Sequence, residues 1–374
     1  MSPAISLRSD KRMKDNQSEN QYQKGVKHLC ENGIKKVPTK YILPISDRPN
    51  TGKPLFEETN IKLPVIDFAE LQGPNRSQVL QALTNACEQY GFFQVVNHGI
   101  PTDAISSVTD VCKSFFELPF EERQKHMSTD MKAPVRYGTS FIQNKDAIYC
   151  WRDFLKLVCH PKPDDVHSDW PSLPQNLRKQ VAAYSKETRN LFMLLMGAIL
   201  ESLGLGSAEM DIAKENNILE EFQEGSQMIV TNCYPPCPEP ELTLGMPPHS
   251  DYGFLTLLLQ DEVKGLQIQF QEKWLTVEPI PNAFVVNIGD HLEIFSNGRY
   301  RSVLHRVLVN QEKTRVTVAS LHSLPFERVI QPSPKLISKT NPRRYKDTDF
   351  AAFLEYISAC EPKKKAFLES RRLS

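Results

Sequence analysis

The chain has 374 residues, 40% of them hydrophobic, and Lys+Arg and Asp+Glu each total 45. That length supports a large buried core, and the balanced charge offers no electrostatic footprint for nucleic acid or an anionic membrane surface. No run reaches the roughly 18 apolar residues of a transmembrane helix, and the polar opening segment lacks the apolar core of a signal peptide. The expectation is a cytoplasmic monomer without nucleic-acid or membrane partners.

Residues 1 to about 24 read as a polar, disordered leader, followed by a short helix in Gly25–Gly33 and a Pro-rich extended approach from Lys36 to Leu63. Val65–Phe68 and Phe92–Val96 read as strands flanking an amphipathic helix over Ser77–Tyr90. A further helix is expected over Thr102–Phe116 with Thr102 as its cap, and a long one over Asn176–Leu203, ended by Gly204. From Ser226 to Ser323 the pattern changes to short strands separated by turns, the signature of a sandwich or barrel. The candidates are Leu255–Gln260, Leu266–Phe270, Lys273–Glu278, Ala283–Ile288, Arg301–Val309 and Arg315–Leu321. A C-terminal helix over Asp347–Ser358 carries an apolar stripe of Phe350, Phe353, Leu354 and Ile357, and a basic cluster follows at Lys363-Lys-Lys365. The eight cysteines, at 30, 87, 112, 150, 159, 233, 237 and 360, have no repeated spacing and read as free thiols rather than a zinc site.

Within the strand-rich segment, His249 and Asp251 are two residues apart, a spacing that puts both side chains on one face of a strand. Period-two counting places Val303, His305, Val307 and Val309 on a common face, so His305 interrupts an apolar row. Arg315 with Thr317 and Asn232 with Tyr234 form two more such pairs. A single histidine on an apolar strand is most often a hydrogen-bonded core residue. Four segments that each direct polar groups to one face make a stronger case for a site. Two imidazoles and a carboxylate are the facial triad of non-haem Fe(II) oxygenases, which leaves metal positions open. A nearby arginine suits a carboxylate co-substrate, because a planar guanidinium grips it through two parallel hydrogen bonds and stays charged.

The runs Asn232-Cys-Tyr-Pro-Pro-Cys-Pro, Pro-Pro-His249-Ser-Asp251-Tyr-Gly-Phe-Leu-Thr, Asn287-Ile-Gly-Asp290 and Ser296-Asn-Gly-Arg-Tyr-Arg-Ser-Val-Leu-His305-Arg306 closely resemble the plant 2-oxoglutarate/Fe(II)-dependent dioxygenases. Flavanone 3-hydroxylase-like and salicylate-hydroxylase-like members are the most similar in pattern. Leu63-Pro-Val-Ile-Asp-Phe68 and Tyr90-Gly-Phe-Phe-Gln-Val-Val-Asn-His-Gly-Ile100 extend the resemblance to roughly residues 40 to 360. It implies an α+β fold with a double-stranded β-helix (jelly-roll) core, a long backing helix and a C-terminal helix. It also implies a division into a leader and short helix (1–45), an N-terminal mixed region (46–210), the catalytic jelly roll (211–330) and a C-terminal helix with a basic tail (331–374).

The same resemblance implies His249, Asp251 and His305 as iron ligands, Arg315 and Thr317 as partners of the far carboxylate of 2-oxoglutarate, and Asn232 and Tyr234 as further contacts to it. The implied reaction uses Fe(II), 2-oxoglutarate and O2, with ascorbate as reductant. It hydroxylates or desaturates a small plant specialised metabolite and releases succinate and CO2. Two positions depart from the family pattern: Thr317 stands where serine is usual, and Cys233 where an aromatic is common. The threonine retains the donor, and Cys233 should face away from the site. By the same alignment Tyr137, Phe141, His322 and Phe326 suit a flat phenolic or flavonoid substrate, although aromatic residues also fill ordinary cores. Terpenoid, alkaloid or glucosinolate substrates, or an oxidase of the same fold that does not use 2-oxoglutarate, are the alternatives.

Overall fold

The computed structural model describes residues 24–49, 62–140, 147–161, 166–205, 218–359 and 365–373. The expected leader, Phe141, and Lys363 and Lys364 of the basic tail lie outside them. In chain order the strands are β1 (Val65–Asp67), β2 (Phe92–Val96), β3 (Val135–Thr139), β4 (Asp153–His160), β5 (Ser226–Tyr234) and β6 (Met246–His249). They continue with β7 (Leu255–Gln260), β8 (Leu266–Phe270), β9 (Lys273–Thr276), β10 (Phe284–Ile288), β11 (His305–Val307) and β12 (Arg315–Ser323). The helices used below are α1 (Val26–Glu31), α2 (Arg76–Asn85), α3 (Thr102–Glu117), α4 (Leu177–Ser202), α5 (Asp290–Phe295) and α6 (Phe350–Ala359).

Two sheets face each other. The larger has the order β1-β2-β10-β7-β12-β5-β4-β3 and the smaller β6-β11-β8-β9. Strands β5 to β12 alternate between them except for the β8–β9 hairpin, which stays in the smaller sheet; this is the jelly-roll arrangement, and β1 to β4 extend the larger sheet at both edges. Strand alternation gives the larger sheet two different faces. On one, Ile229, Cys233, Val316 and Val318 join the core built on α3 and α4. Helix α4 buries Leu177, Val181, Tyr184, Thr188, Leu191, Leu195 and Ile199 at helical spacing. Cys233 is therefore on the helix side, as expected. On the other face, Phe92 and Val285 pack against Leu266 and Ile268 of the smaller sheet. The polar site opens in the gap between the sheets, beyond this second core.

Several expectations require correction. The helix expected over Ser77–Tyr90 ends at Asn85 and continues as a π-helical turn, Ala86–Tyr90. Gly91 closes that turn at φ 63°. A Cβ there would sit 2.1 Å from the Arg301 carbonyl oxygen, so only glycine allows the segment preceding His305 to pack this closely. Thr102 is the first helical residue of α3 rather than its cap, because Pro101, with ψ 138°, takes the N-cap position. The strand expected over Arg301–Val309 shrinks to β11, with a register irregularity between His305 and Val307. Strands β3 and β4 and helix α5 were not anticipated, and the strand expected to carry both His249 and Asp251 ends at His249 as β6. Among the described residues no helix is long and apolar enough to cross a membrane, and the cysteines are unpaired thiols.

Candidate active site

Strands β6 and β11 pair antiparallel with His249 directly opposite His305, and their ring centroids lie 4.1 Å apart. Asp251 is not on the strand, since β6 ends at His249. It reaches the histidines through the turn into β7, which is pinned at the start of α5: the Asp290 amide donates to the Asp251 carbonyl at 2.8 Å and the His291 amide to the Gly253 carbonyl at 3.1 Å. Gly289 permits this approach, since a Cβ there would lie 2.0 Å from the Gly253 oxygen.

One ligand atom from each of His249, Asp251 and His305 lies within 4.8 Å of the others. Asp251 Oδ1 is 3.8 Å from His249 Nε2 and 3.6 Å from His305 Nε2. Each ring's Nδ1 donates to a main-chain carbonyl, His249 to Pro247 at 2.8 Å and His305 to Val303 at 3.3 Å. This assigns the tautomer that leaves both Nε2 lone pairs directed inward. Asp251 Oδ2 accepts from Thr256 Oγ1 at 2.6 Å and Asn287 Nδ2 at 2.8 Å, which leaves Oδ1 to face the imidazoles. Burial, and then the neighbouring His305, holds the His249 imidazole well below its usual pKa. Burial would raise the Asp251 carboxyl, but the two histidines and the bonds from Thr256 and Asn287 outweigh it and keep it ionised. Two neutral imidazoles and one oriented carboxylate fit a divalent first-row metal with open positions.

Beside the triad is a buried cluster of polar side chains around Arg315. In the β5–β12 pairing Arg315 lies opposite Tyr234 and Thr317 opposite Asn232, so the four residues form two adjacent cross-strand pairs. Arg315, 2% exposed, donates from Nε to the Val263 carbonyl at 3.0 Å and from Nη2 to Gln260 Oε1 at 3.1 Å. Its guanidinium lies 5.4 Å from the Tyr234 ring. These contacts fix the guanidinium and leave further N–H donors for a carboxylate. Asn232 is oriented by Arg152, whose Nη1 donates to Asn232 Oδ1 at 2.9 Å. The triad and the Arg315 cluster line the same cavity, of about 260 Å³.

Residues 225–323 match the 2OG-Fe(II) oxygenase superfamily, and residues 63–177 match the N-terminal region described as non-haem dioxygenase in morphine synthesis. The chain is 43% identical to Protein DMR6-LIKE OXYGENASE 1 of Arabidopsis thaliana over 303 residues, 81% of this chain and 84% of the relative. It is 42% identical to Flavanone 3-dioxygenase 2 of Oryza sativa subsp. japonica, covering 83% of this chain and 87% of the relative. The chain belongs to the plant 2-oxoglutarate/Fe(II)-dependent dioxygenases. The crystal structure of JOX2 in complex with 2OG, Fe and JA matches this dioxygenase with a TM-score of 0.82 at 33% identity, covering 94% of this chain and 98% of that one. The protein is thus an Fe(II)- and 2-oxoglutarate-dependent oxidoreductase acting on a small plant metabolite.

The substrate residues anticipated from sequence fare unevenly in the dioxygenase. Phe326 lines the cavity and packs on Phe350 of α6 with centroids 4.6 Å apart. Tyr137 does not line it. Its position on β3, opposite Leu155, turns it to the helix side, where it packs on Phe115 and its hydroxyl donates to Asp153 Oδ2. His322 borders the cavity, but its ring stacks on Phe192 of α4 at 4.3 Å and bonds Ser320, on the far face of β12. Strand parity accounts for both placements, so that Tyr137 is a correction while His322 keeps its place at the cavity border. The C-terminal helix, read from sequence chiefly as core packing, also walls the cavity through Phe350, Phe353 and Leu354. Sequence reasoning missed Thr256, Asn287 and Arg152 as supports of the site. Recognising that the Arg152-Asp-Phe154-Leu-Lys156 alternation continues into a strand would have exposed the last of these.

Proposed function

We propose that this dioxygenase hydroxylates a small phenolic metabolite, flavonoids included, consuming 2-oxoglutarate and O2 and releasing succinate and CO2. The observation that carries the proposal is the aromatic wall over the triad: Phe154, Tyr252, Phe326, Phe350 and Phe353 line the same cavity as His249, Asp251 and His305. Tyr252 packs on Phe353 at 4.2 Å and Phe350 at 5.3 Å, and Phe326 on Phe350, so these four rings form a continuous cluster, with Phe154 a separate aromatic face of the same cavity. Flat faces of this kind suit an aromatic ring through offset and edge contacts.

The roles of the residues follow from their geometry. His249 Nε2, His305 Nε2 and Asp251 Oδ1 would hold Fe(II), with Thr256 and Asn287 keeping the carboxylate turned towards it. Arg315 and Thr317 would take the far carboxylate of 2-oxoglutarate, with Tyr234 and Asn232 along its length. Bound Fe(II) with 2-oxoglutarate and O2 supplies oxidative decarboxylation and, from it, an oxidant able to break a substrate C–H bond. The chain's own contribution is positional. Phe92, edge-on to His305 at 5.3 Å, holds that ring, while the aromatic cluster excludes water and fixes which C–H faces the triad. Hydroxylation and desaturation start from the same hydrogen removal, so the seating of the substrate decides between them.

Residues 211–330 are assigned the catalytic core, supported by β5 to β12 falling between Ser226 and Ser323. Residues 46–210 supply the backing helix and the substrate-side edge of the sheet, and the 331–374 segment supplies α6. A cytosolic location accords with the free thiols. The test is succinate formation by protein loaded anaerobically with Fe(II), with 2-oxoglutarate and ascorbate, on admitting oxygen in the presence of flavanones, phenolic acids, terpenoids or glucosinolates. Stimulation by phenolics supports the proposal. Stimulation only by terpenoids or glucosinolates refutes the substrate class.

A further inference from the structure

Resting on the metal assignment above and deepening it, we propose that Lys365 is a positioning residue of the metal centre. Its ammonium is the counter-charge that lets two buried acids of α5, Asp290 and Glu293, hold both triad-bearing segments in place. Lys365 ends the basic cluster that follows α6 and directly precedes a further helix, α7 (Ala366–Arg371). Its side chain is turned inward, 18% exposed, and Nζ donates to Glu293 Oε2 at 3.0 Å and to the Ser302 carbonyl. Asp290 and Glu293, each 3% exposed, are three residues apart and so share one face of α5, where like charges repel. Buried charges of this kind need opposite charge and hydrogen bonds to compensate them. Arg372, its side chain 57% exposed, reaches Glu293 Oε1 only at 3.5 Å. Among the described residues Lys365 is therefore the inner counter-charge of the pair.

What the two acids hold explains why their charge balance reaches the triad. Asp290 Oδ2 accepts from Ser250 Oγ at 3.1 Å, and Ser250 stands between His249 and Asp251. The amide of the same aspartate donates to the Asp251 carbonyl at 2.8 Å. Asp290 Oδ1 accepts from Ser302 Oγ at 2.7 Å, and Glu293 Oε2 accepts from the Ser302 amide at 2.7 Å. Ser302, 2% exposed, thus has its hydroxyl on one acid, its amide on the other and its carbonyl on Lys365. His305 follows three residues later and opens β11, a strand of only three residues, so the approach to it takes its placement from this anchor. Glu293 Oε1 is held separately by Tyr345 Oη at 2.7 Å. The segment that delivers Lys365 also supports the aromatic wall: Phe367 packs on Phe353 at 5.2 Å and on Tyr252 at 6.4 Å. Without the ammonium, the two acids would repel each other out of water, and the Ser250 and Ser302 anchors would shift. The triad would then lose its register with every ligand still present.

The test is Fe(II) affinity of the full chain by chelator competition under nitrogen, with the visible spectrum of the Co(II)-loaded protein reporting coordination geometry. Lys365→Met should weaken Fe(II) binding about tenfold or more, the scale of losses from outer-shell partners, and change the cobalt spectrum. Lys365→Arg should restore both. Adding Glu293→Gln to Lys365→Met should also recover affinity: the amide removes the repulsion, its oxygen still accepts from the Ser302 amide, and its nitrogen donates to Tyr345 Oη. Where Lys365→Met fails to fold, Lys365→Gln decides the same question, since it keeps a donor for the Ser302 carbonyl and removes only the charge. If Lys365 merely pins the tail, the neutral variants lower the denaturation midpoint and leave iron affinity and cobalt spectrum at wild-type values. That result, or a double variant no better than Lys365→Met, overturns the proposal. Asp251→Ala separates the two readings. Iron retained by Asp251→Ala removes the triad assignment and this inference with it, whereas iron lost from Asp251→Ala but held at full affinity by Lys365→Met removes only the inference.

Discussion

Arg315→Lys tests the proposed co-substrate clamp, because it keeps the positive charge and removes the guanidinium geometry. Arg315 is packed into a slot cut for its shape: it bonds the Val263 carbonyl and Gln260 Oε1, and a Cβ on Gly265 would come 3.0 Å from its Cδ. A lysine ammonium is shorter and has three donors, so it cannot keep both protein contacts and also present two parallel donors to a carboxylate. At least one charge-assisted hydrogen bond is lost, about 1.5–3 kcal/mol. At 1.4 kcal/mol per tenfold this predicts a dissociation constant for 2-oxoglutarate raised about 10- to 150-fold. Iron affinity should be unchanged, because Arg315 bonds none of the triad residues. The assay is calorimetric titration of 2-oxoglutarate into anaerobic, Fe(II)-loaded protein, alongside iron content by chelation. An unchanged 2-oxoglutarate affinity, or loss of iron, would refute the assignment.

Three further substitutions probe the supports. Thr256→Val is close in shape but removes one of the two donors to Asp251 Oδ2, and such losses weaken metal binding by about 10- to 100-fold. Competition with a chelator measures it, and unchanged affinity would mean Asn287 alone orients the carboxylate. Thr317→Ser keeps the hydroxyl and should leave 2-oxoglutarate affinity nearly unchanged, whereas a severalfold gain would identify the methyl as a constraint on the pocket. Gly91→Ala places a Cβ against the Arg301 carbonyl in a left-handed backbone conformation. Its expected cost is roughly 3 kcal/mol, seen as a lower denaturation midpoint, and an unshifted midpoint would show that the segment before His305 yields freely.

The parts of the site legible in the sequence were those whose meaning survives without knowing the sheet order. The facing of Asn232 and Tyr234, with Cys233 turned to the core, followed from alternation along one strand, as did that of Arg315 and Thr317. The convergence of His249 and Asp251 was anticipated for a reason only half right: His249 is on a strand, but Asp251 is delivered by a turn fastened to α5. Misplaced residues came from parity errors. Tyr137 was read without recognising β3, whose pairing with β4 sends Arg136 to the cavity and Tyr137 to the core. The segments of β3 and β4 interleave arginine, lysine and aspartate with apolar residues, so their burial on both faces has no plain hydrophobic signature. The aromatic stripe of α6 was visible, but a stripe packed on a core and one walling a cavity have the same periodicity.

The central claim is that His249, Asp251 and His305 hold the iron at which 2-oxoglutarate is oxidised. Its most direct test compares wild type and Asp251→Ala, each equilibrated anaerobically with Fe(II) and 2-oxoglutarate and then exposed to oxygen, measuring bound iron, oxygen uptake and succinate. The wild type should retain iron and form succinate in step with oxygen consumed, while Asp251→Ala, correctly folded by circular dichroism, should retain little iron and form none. Succinate formation by the variant at the wild-type rate would contradict the account.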